Sequence, residues 1–395
     1  EYITEIINSV PSTANLSYYI KIIFEKAVLR NLISKATNIQ EDCYNEEDNL
    51  VDIIERAESK ILGVYNDKLG RDIRKIQDII PEMQKTMESL AETKTEFTGI
   101  RTGYYDFDEM TRGLQKRQVI IIAGRPGCGK SAFALNVALN AAINNKNSVA
   151  FFSLEMGAEE ILKRMYGCVG KIDGDILKTG KFKNTDWKKF NEATSQLSDT
   201  KFFIDDTAGI SVAEIRRKCR KLKNSDAGLD LVVIDYLQLM SSSNKYAGQR
   251  VQEVGEISRD IKKLAMELEI PVIALAQLSR SVEQRKGGDN KPKLSDLRES
   301  GSIEQDADIV LFLHSDEYGK YDGNINRKIE LLVAKHRAGS TGSVDLVFKM
   351  NTGSFDNFYK SQFCWRLSIC NILYLILQTH NKYYEKRGHT MPILA

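Results

Sequence analysis

Val119-Ile120-Ile121-Ile122-Ala123-Gly124-Arg125-Pro126-Gly127-Cys128-Gly129-Lys130-Ser131-Ala132-Phe133-Ala134-Leu135 is the stretch that decides the fold. It opens on uncharged, mostly β-branched residues, as a strand buried on both faces does, and runs past Ser131 into an Ala- and Leu-rich helical pattern. Between strand and helix lies GxxxxGK[ST], which in that setting reads as a phosphate-binding P-loop. Glycines let backbone N–H groups close around phosphate at a helix N-terminus, Lys130 balances β- and γ-phosphate charge, and the Ser131 hydroxyl can ligate Mg²⁺. Gly124, Arg125, Pro126, Gly127, Cys128, Gly129, Lys130 and Ser131 are therefore the nucleotide-binding candidates, with ATP and Mg²⁺ the cofactors implied.

Working outward, short apolar runs alternate with helical stretches: Val149 to Leu154, Phe202 to Ile204, Leu231 to Ile234, Val272 to Ala276 and Ile309 to Leu313. Such alternation predicts an α/β domain with a mostly parallel sheet. An open α/β sheet presents ligand-binding groups at the carboxyl ends of its strands, and three polar residues stand there. Asp235 ends the run Leu231 to Ile234 and is the Mg²⁺-binding candidate beside Ser131. Glu155 follows the strand at Val149, where a carboxylate can polarise an attacking water. Gln277 ends the strand at Val272 and is placed to sense the γ-phosphate. Capping of the next helix is the simpler role open to Glu155 and Gln277. Near the end, Ile329 to Lys335 and Val344 to Phe348 flank a Gly-containing turn and read as a hairpin whose tip projects, exposing Lys335 and Arg337.

Several blocks, taken in order and spacing, resemble the DnaB family of replicative helicases. They are Phe152-Ser153-Leu154-Glu155-Met156, then Ile234-Asp235-Tyr236-Leu237-Gln238-Leu239, then Gln277 to Glu283, then Ser295 to Asp308. The resemblance spans roughly Tyr2 to Phe358 and implies a RecA-like P-loop NTPase fold. It implies that Glu155 is the hydrolytic base and that Gln277 couples the γ-phosphate to DNA loops. It also implies that Arg298, Glu299 and Gly301 hold single-stranded DNA, and that Lys335 and Arg337 reach a neighbouring subunit's nucleotide as lysine and arginine fingers. A homo-hexamer, five-prime to three-prime movement at a replication fork, and primase and a loader as partners follow from the same resemblance. A second DNA loop is expected within Ser241 to Arg250, with Lys245 and Arg250 available, although a plain surface loop would read alike. A RecA-type recombinase shares the core but lacks the Arg298 to Gln305 block. A nucleotide-binding accessory ring, or a remnant unable to unwind, is the reading from another class.

The flanks are less regular. Residues 1–66 read as the remnant of an N-terminal helical domain, with helical spacing from Tyr18 to Gln40 and again from Leu50 to Val64 forming a helical hairpin. Residues 67–98 read as a linker with a docking helix striped by Ile73, Ile76, Ile80, Met83, Met87 and Leu90, which Pro81 opens or kinks. Residues 99–358 form the ATPase domain, and 359–395 an atypical tail whose Ile369 to Leu377 run is an aggregation hazard if exposed. Across 395 residues, 42% hydrophobic and 28% charged, the formal charge is only +2, so any grip on nucleic acid must come from local groups. Six scattered cysteines without a CxxC pair, accompanied by four histidines, fit neither a disulfide framework nor a zinc site and suit a reducing cytoplasm. No apolar run approaches the roughly 20 residues of a membrane span. Cys128 beside a helix N-terminus reads as an acidic thiol or as a small filler. The basic helix Val212 to Leu222 has an inward apolar stripe, so its charges read as a solvated face.

Overall fold

The computed structural model describes residues 16–44, 53, 56–57, 60–61, 75–93, 97–241, 249–278, 291–315 and 326–358. The chain divides into two units, Glu1–Lys94 and Thr95–Ala395. In the first, helix α1 spans Leu16–Tyr44 and α2 spans Ile76–Thr93. Lys60 donates to Asp42 at 2.5 Å and to the Asn38 carbonyl at 3.3 Å, which ties the expected second arm of the hairpin to α1. Most of that arm, Leu50 to Val64, lies outside the described residues. Pro81 sits inside α2 rather than at its opening, and Ile76, Ile80, Met83 and Met87 are all exposed along that helix.

In the second unit, the described residues form a nine-stranded sheet in the order β3-β2-β4-β5-β1-β6-β7-β8-β9. The strands are β1 (Val119–Gly124), β2 (Val149–Ser153), β3 (Phe202–Asp205), β4 (Leu231–Asp235), β5 (Val272–Gln277), β6 (Ile309–His314), β7 (Asn326–His336), β8 (Gly342–Lys349) and β9 (Ser354–Asn357). The pairings from β3 through β6 are parallel, and β7, β8 and β9 add antiparallel strands at one edge. Helix α3 (Tyr105–Thr111) precedes β1; parallel strands need crossover segments, and the helices that supply them are α4 (Lys130–Ile143), α5 (Ala158–Gly170), α6 (Gly174–Thr179), α7 (Asn184–Ser198), α8 (Val212–Lys223), α9 (Arg250–Leu268) and α10 (Gly301–Asp306).

Side chains alternate across the sheet, and both faces are apolar. Ile120 and Ile122 join Phe151 and Val233 under Phe133 of α4 and Ile161 of α5. Val119, Ile121 and Ala123 face the other way, with Phe152 and Ile234, against Ile215 of α8 and Ile257 of α9. Burial on both faces explains the continuous rather than alternating apolar runs in the sequence. Each such buried side chain contributes about 1.5–3 kcal/mol.

Three differences from the sequence reading stand out. The basic helix α8 is not simply solvated: Arg216 and Arg220 pair with Glu267 of α9, Lys218 meets Asp205 at 2.6 Å, and Lys223 donates to the Leu268 carbonyl. Arg298 to Gly301 do not form an open loop, because Leu294–Ser300 is a 3₁₀ run that leads directly into α10. The short strand β9 has no apolar alternation of its own and exists through pairing with β8. The tail 359–395 and the 242–248 part of the expected second DNA loop, with Lys245, lie outside the described residues. No helix among the described residues is long and apolar enough to cross a membrane.

Candidate active site

The P-loop is shaped by glycine. Gly127 and Gly129 have φ of 75° and 90°, in the left-handed region that favours glycine, and Gly129 is the N-cap from which α4 starts at Lys130. Successive N–H groups turned this way at a helix start make an anion-binding concavity. The loop rests on the last strands of the sheet. A Cβ at Gly129 would stand 3.2 Å from the Phe355 ring and 3.5 Å from that of Phe348. Asn136 of α4 holds the same segment, donating to the Gly353 carbonyl at 2.9 Å and accepting from the Phe355 N–H at 3.2 Å.

Lys130 lies over the loop and donates to the Gly124 carbonyl at 2.9 Å. Burial pulls its pKa below the usual lysine value, opposed by the nearby Cys128, Asp235 and Glu155. Asp235, at the end of β4, is 2% exposed. Its carboxyl is pushed up by burial and by Glu155, while a hydrogen bond from Ser131 and the charges of Lys130 and Arg164 hold it down. Ser131 and Asp235 are thus neighbours in the crevice. Glu155 is exposed two residues beyond β2, whose Ser153 is in register with Asp235. Gln277 is the exposed last residue of β5, in register with Gly124. The structure therefore brings Lys130, Ser131, Asp235, Glu155 and Gln277 to the carboxyl ends of β1, β2, β4 and β5.

Cys128 turns away from this crevice. It is 4% exposed, and a Cβ at Gly124 would meet its Sγ at 2.5 Å, so the thiol fills the space that glycine leaves. Burial raises its pKa against the pull of Lys130 and of backbone N–H groups, which overturns the acidic-thiol reading. Sequence reasoning missed Arg164, whose charge reaches Asp235, and Tyr236, whose hydroxyl pKa is raised by burial, Glu155 and Asp235. Arg164 carries no motif signal, whereas Tyr236 stands in the block Ile234 to Leu239 beside Asp235, which could have singled it out.

The remaining candidates stand elsewhere. Across β6 and β7, Ile309 faces His336, and Ile309 also faces Ile120 of β1, whereas Gly124 faces Leu313. Lys335 and Arg337 are thus at the amino end of the parallel strands, opposite their own P-loop. Arg337 lies beside Asp308, and from there to the level of Leu313 is five residue rises of about 3.3 Å, or roughly 17 Å, whereas Lys335, in register with Val310, is three rises away. Arg337 is exposed, its backbone N–H bonds to the Asp308 carbonyl at 2.8 Å, and its guanidinium is 3.5 Å from the Asp308 carboxylate. Lys335 is not exposed as expected: it is partly buried against main-chain carbonyls at the end of α10. Arg298, Glu299 and Gly301 lie at the start of α10 and in the 3₁₀ run before it.

The donor set suits Mg²⁺. That ion takes hard oxygen ligands, commonly one or two carboxylates together with substrate phosphates, and the neighbouring Ser131 hydroxyl and Asp235 carboxylate are such oxygens. Among the described residues no group of three or more His, Cys, Asp and Glu could hold a metal ion unaided.

Sheet and site together define a P-loop ATPase with a RecA-like core. Residues 99–357 match the family model described as DnaB-like helicase C terminal domain. The replicative DNA helicase DnaC of Bacillus subtilis (strain 168) is 48% identical over 358 residues, covering 90% of this chain and 78% of that protein. The replicative DNA helicase DnaB of Geobacillus stearothermophilus is 47% identical over 356 residues, with the same coverage of 90% and 78%. Among solved structures, a DnaB-like replicative helicase described with its interactions with primase matches at a TM-score of 0.72 and 37% identity, over 91% of this chain and 83% of that one. A second solved structure, of an ATPase domain, matches at a TM-score of 0.66 and 40% identity, over 71% of this chain and 99% of that one. The chain belongs to the DnaB-like helicase family, and its activity is that of an ATP-dependent replicative DNA helicase.

Proposed function

We propose that the protein closes into a homo-hexameric ring around single-stranded DNA and moves five-prime to three-prime at a replication fork in the cytoplasm. Primase and a helicase loader would be its partners. The one observation that carries the ring is the register of β6 and β7. An arginine side chain cannot span the roughly 17 Å from that level to its own P-loop. Packed head to tail, however, the amino end of one subunit's sheet can face the carboxyl end of the next.

In this reading the Gly124 to Ser131 backbone cradles the ATP phosphates and Lys130 neutralises β- and γ-phosphate charge. Ser131 and Asp235 would hold Mg²⁺, which supplies charge neutralisation across the phosphates when bound. Glu155 accepts a proton from the attacking water as its oxygen bonds to the γ-phosphorus and the bond to the bridging oxygen of ADP breaks. Gln277 reports the γ-phosphate. Arg337 of a neighbouring copy meets the charge developing on the transferred group. Arg298, Glu299 and Gly301 hold DNA phosphates without reading bases. Opening the duplex costs on the order of 1.4 kcal/mol of stacking per base-pair step, hence the need for hydrolysis. The domain reading (1–66 helical remnant, 67–98 linker, 99–358 motor, 359–395 tail) places all of this chemistry in the motor.

Arg337→Ala should lower turnover by about 10³–10⁵-fold while ATP still binds. Mixed rings of Arg337→Ala and Lys130→Ala subunits should regain DNA-stimulated ATPase above either variant alone, because intact pockets then meet intact fingers. Confirmed mixed rings without rescue would mean that Arg337 serves its own subunit's nucleotide.

A further inference from the structure

Lys335 offers three N–H donors on one ammonium group. Its Nζ lies 2.6 Å from the Glu304 carbonyl, 2.8 Å from that of Ala307 and 3.4 Å from that of Gln305. These are carbonyls at the C-terminus of α10, where a helix leaves acceptors unpaired and carries partial negative charge, so a cation is well placed there. The helix has little freedom at this end. Ile303 and Ala307 are fully buried, the Ala307 N–H bonds to the Ile303 carbonyl at 3.0 Å, and a Cβ on Gly255 of α9 would come 2.9 Å from Ser302 Oγ. One residue beyond Ala307, Asp308 accepts from the Val119 N–H at 2.8 Å and from Lys262 at 2.5 Å, and it faces Arg337. A short rigid helix thus starts at the residues proposed to hold DNA and ends in the grip of the finger hairpin.

We propose that Lys335 is a latch with two alternative sets of acceptors: the carbonyls ending α10 in its own subunit, and the phosphates of the nucleotide in the next. The inference rests on the reading of Arg298 to Gly301 as the DNA segment and of the hairpin as acting in trans. Three main-chain carbonyls lie within 3.4 Å of Nζ, enough acceptors for its three N–H donors, so engaging a phosphate requires giving up helix contacts. Nucleotide on one subunit then loosens the end of α10 on its neighbour and shifts the DNA segment at the other end of that helix. By reciprocity, DNA that repositions α10 changes nucleotide affinity by the same factor. Lys335 acts on DNA through α10 and is a positioning residue for translocation, separate from Arg337, whose guanidinium faces the Asp308 carboxylate.

The test uses the full chain as rings, a fluorescent oligothymidine and the Mg²⁺ salt of a non-hydrolysable ATP analogue. In the wild type the analogue should change DNA affinity by a factor of about 5–150, and DNA should change analogue affinity equally. Lys335→Met keeps the aliphatic stem and removes the donors, so the coupling factor should fall to near one, and Lys335→Arg should restore part of it. Coupling that survives unchanged in Lys335→Met would overturn the latch. A measurement on the unaltered protein guards against misfolding of the variant. Hydrogen exchange in a peptide spanning Gly301 to Asp308 should speed up when the analogue binds DNA-free rings, and exchange indifferent to the analogue would overturn the latch as well. Rescue in the Arg337→Ala and Lys130→Ala mixture leaves Lys335 intact, so the trans reading stands or falls separately.

Discussion

The two ends of the parallel sheet are built on opposite terms. At the carboxyl end, Glu155 and Gln277 project into the open, Asp235 is buried beside Ser131, and a half-buried Lys130 has its pKa drawn down. At the amino end the charges meet protein: Lys262 and Arg337 share Asp308, and Lys335 rests on the end of α10. The first arrangement gives up local satisfaction to leave groups ready for phosphate. The second is a joint in which charge holds strands β1, β6 and β7 to helices α9 and α10. A residue at the carboxyl end should therefore matter for turnover and little for stability, with the reverse holding for Asp308 and Lys262, which serve the joint alone; Arg337 and Lys335 stand apart because they are proposed to act on the next subunit as well.

Among groups that act within their own subunit, the largest effect is expected at Glu155. Glu155→Gln keeps the shape and removes the base, so turnover should fall by about 10²–10⁴-fold while a fluorescent ATP analogue binds as before. Near-normal turnover would move the base to another residue. Next comes a paired comparison of melting temperatures. Asp308→Asn weakens the bonds to Lys262, Arg337 and the Val119 N–H, a cost of about 1–3 kcal/mol, which for a domain of this size is a fall of several degrees. Lys130→Ala should leave the melting temperature nearly unchanged while lowering turnover by about 10²–10³-fold. If Lys130→Ala melts lower than Asp308→Asn, the division between site and joint is wrong. The smallest effect concerns thiols. The thiolate is the form that reacts, so a raised pKa keeps a cysteine inert until the solution is more alkaline. Cys43 is exposed, Cys128 is buried with a raised pKa, and Cys168 and Cys219 are pushed up to about 11 and about 12. Iodoacetamide at neutral pH should label Cys43 well before these three, as peptide mapping would show. Equal rates at Cys43 and Cys128 would put the Cys128 thiol back in the crevice.

What could be read without coordinates follows the same division. The P-loop is one contiguous motif, and Asp235 and Gln277 end apolar runs, so strand periodicity and parallel topology were enough to bring them together. Glu155 needed only the step from strand to turn. The joint left no such trace. Asp308 and Lys262 are 46 positions apart and meet only because β6 lies beside β1. Lys335 read as exposed because a hairpin end normally is, and only the packing of α10 against β7 covers it. Cys128 was ambiguous because its direction depends on the missing side chain of Gly124, a contact that spacing does not encode. The charges of α8 read as solvated because Glu267 belongs to another helix.

The floor beneath the P-loop bears on how the motor is made. Phe355 follows Asn136 by 219 positions, yet its N–H bonds to that side chain and its ring lies under Gly129. At roughly 5–20 residues per second of synthesis, about ten to forty seconds separate the emergence of the two. During that interval the glycine loop has been translated but lacks its support from below. A growing chain therefore completes its phosphate cradle only when β9 arrives, and ATP binding becomes a property of the finished motor.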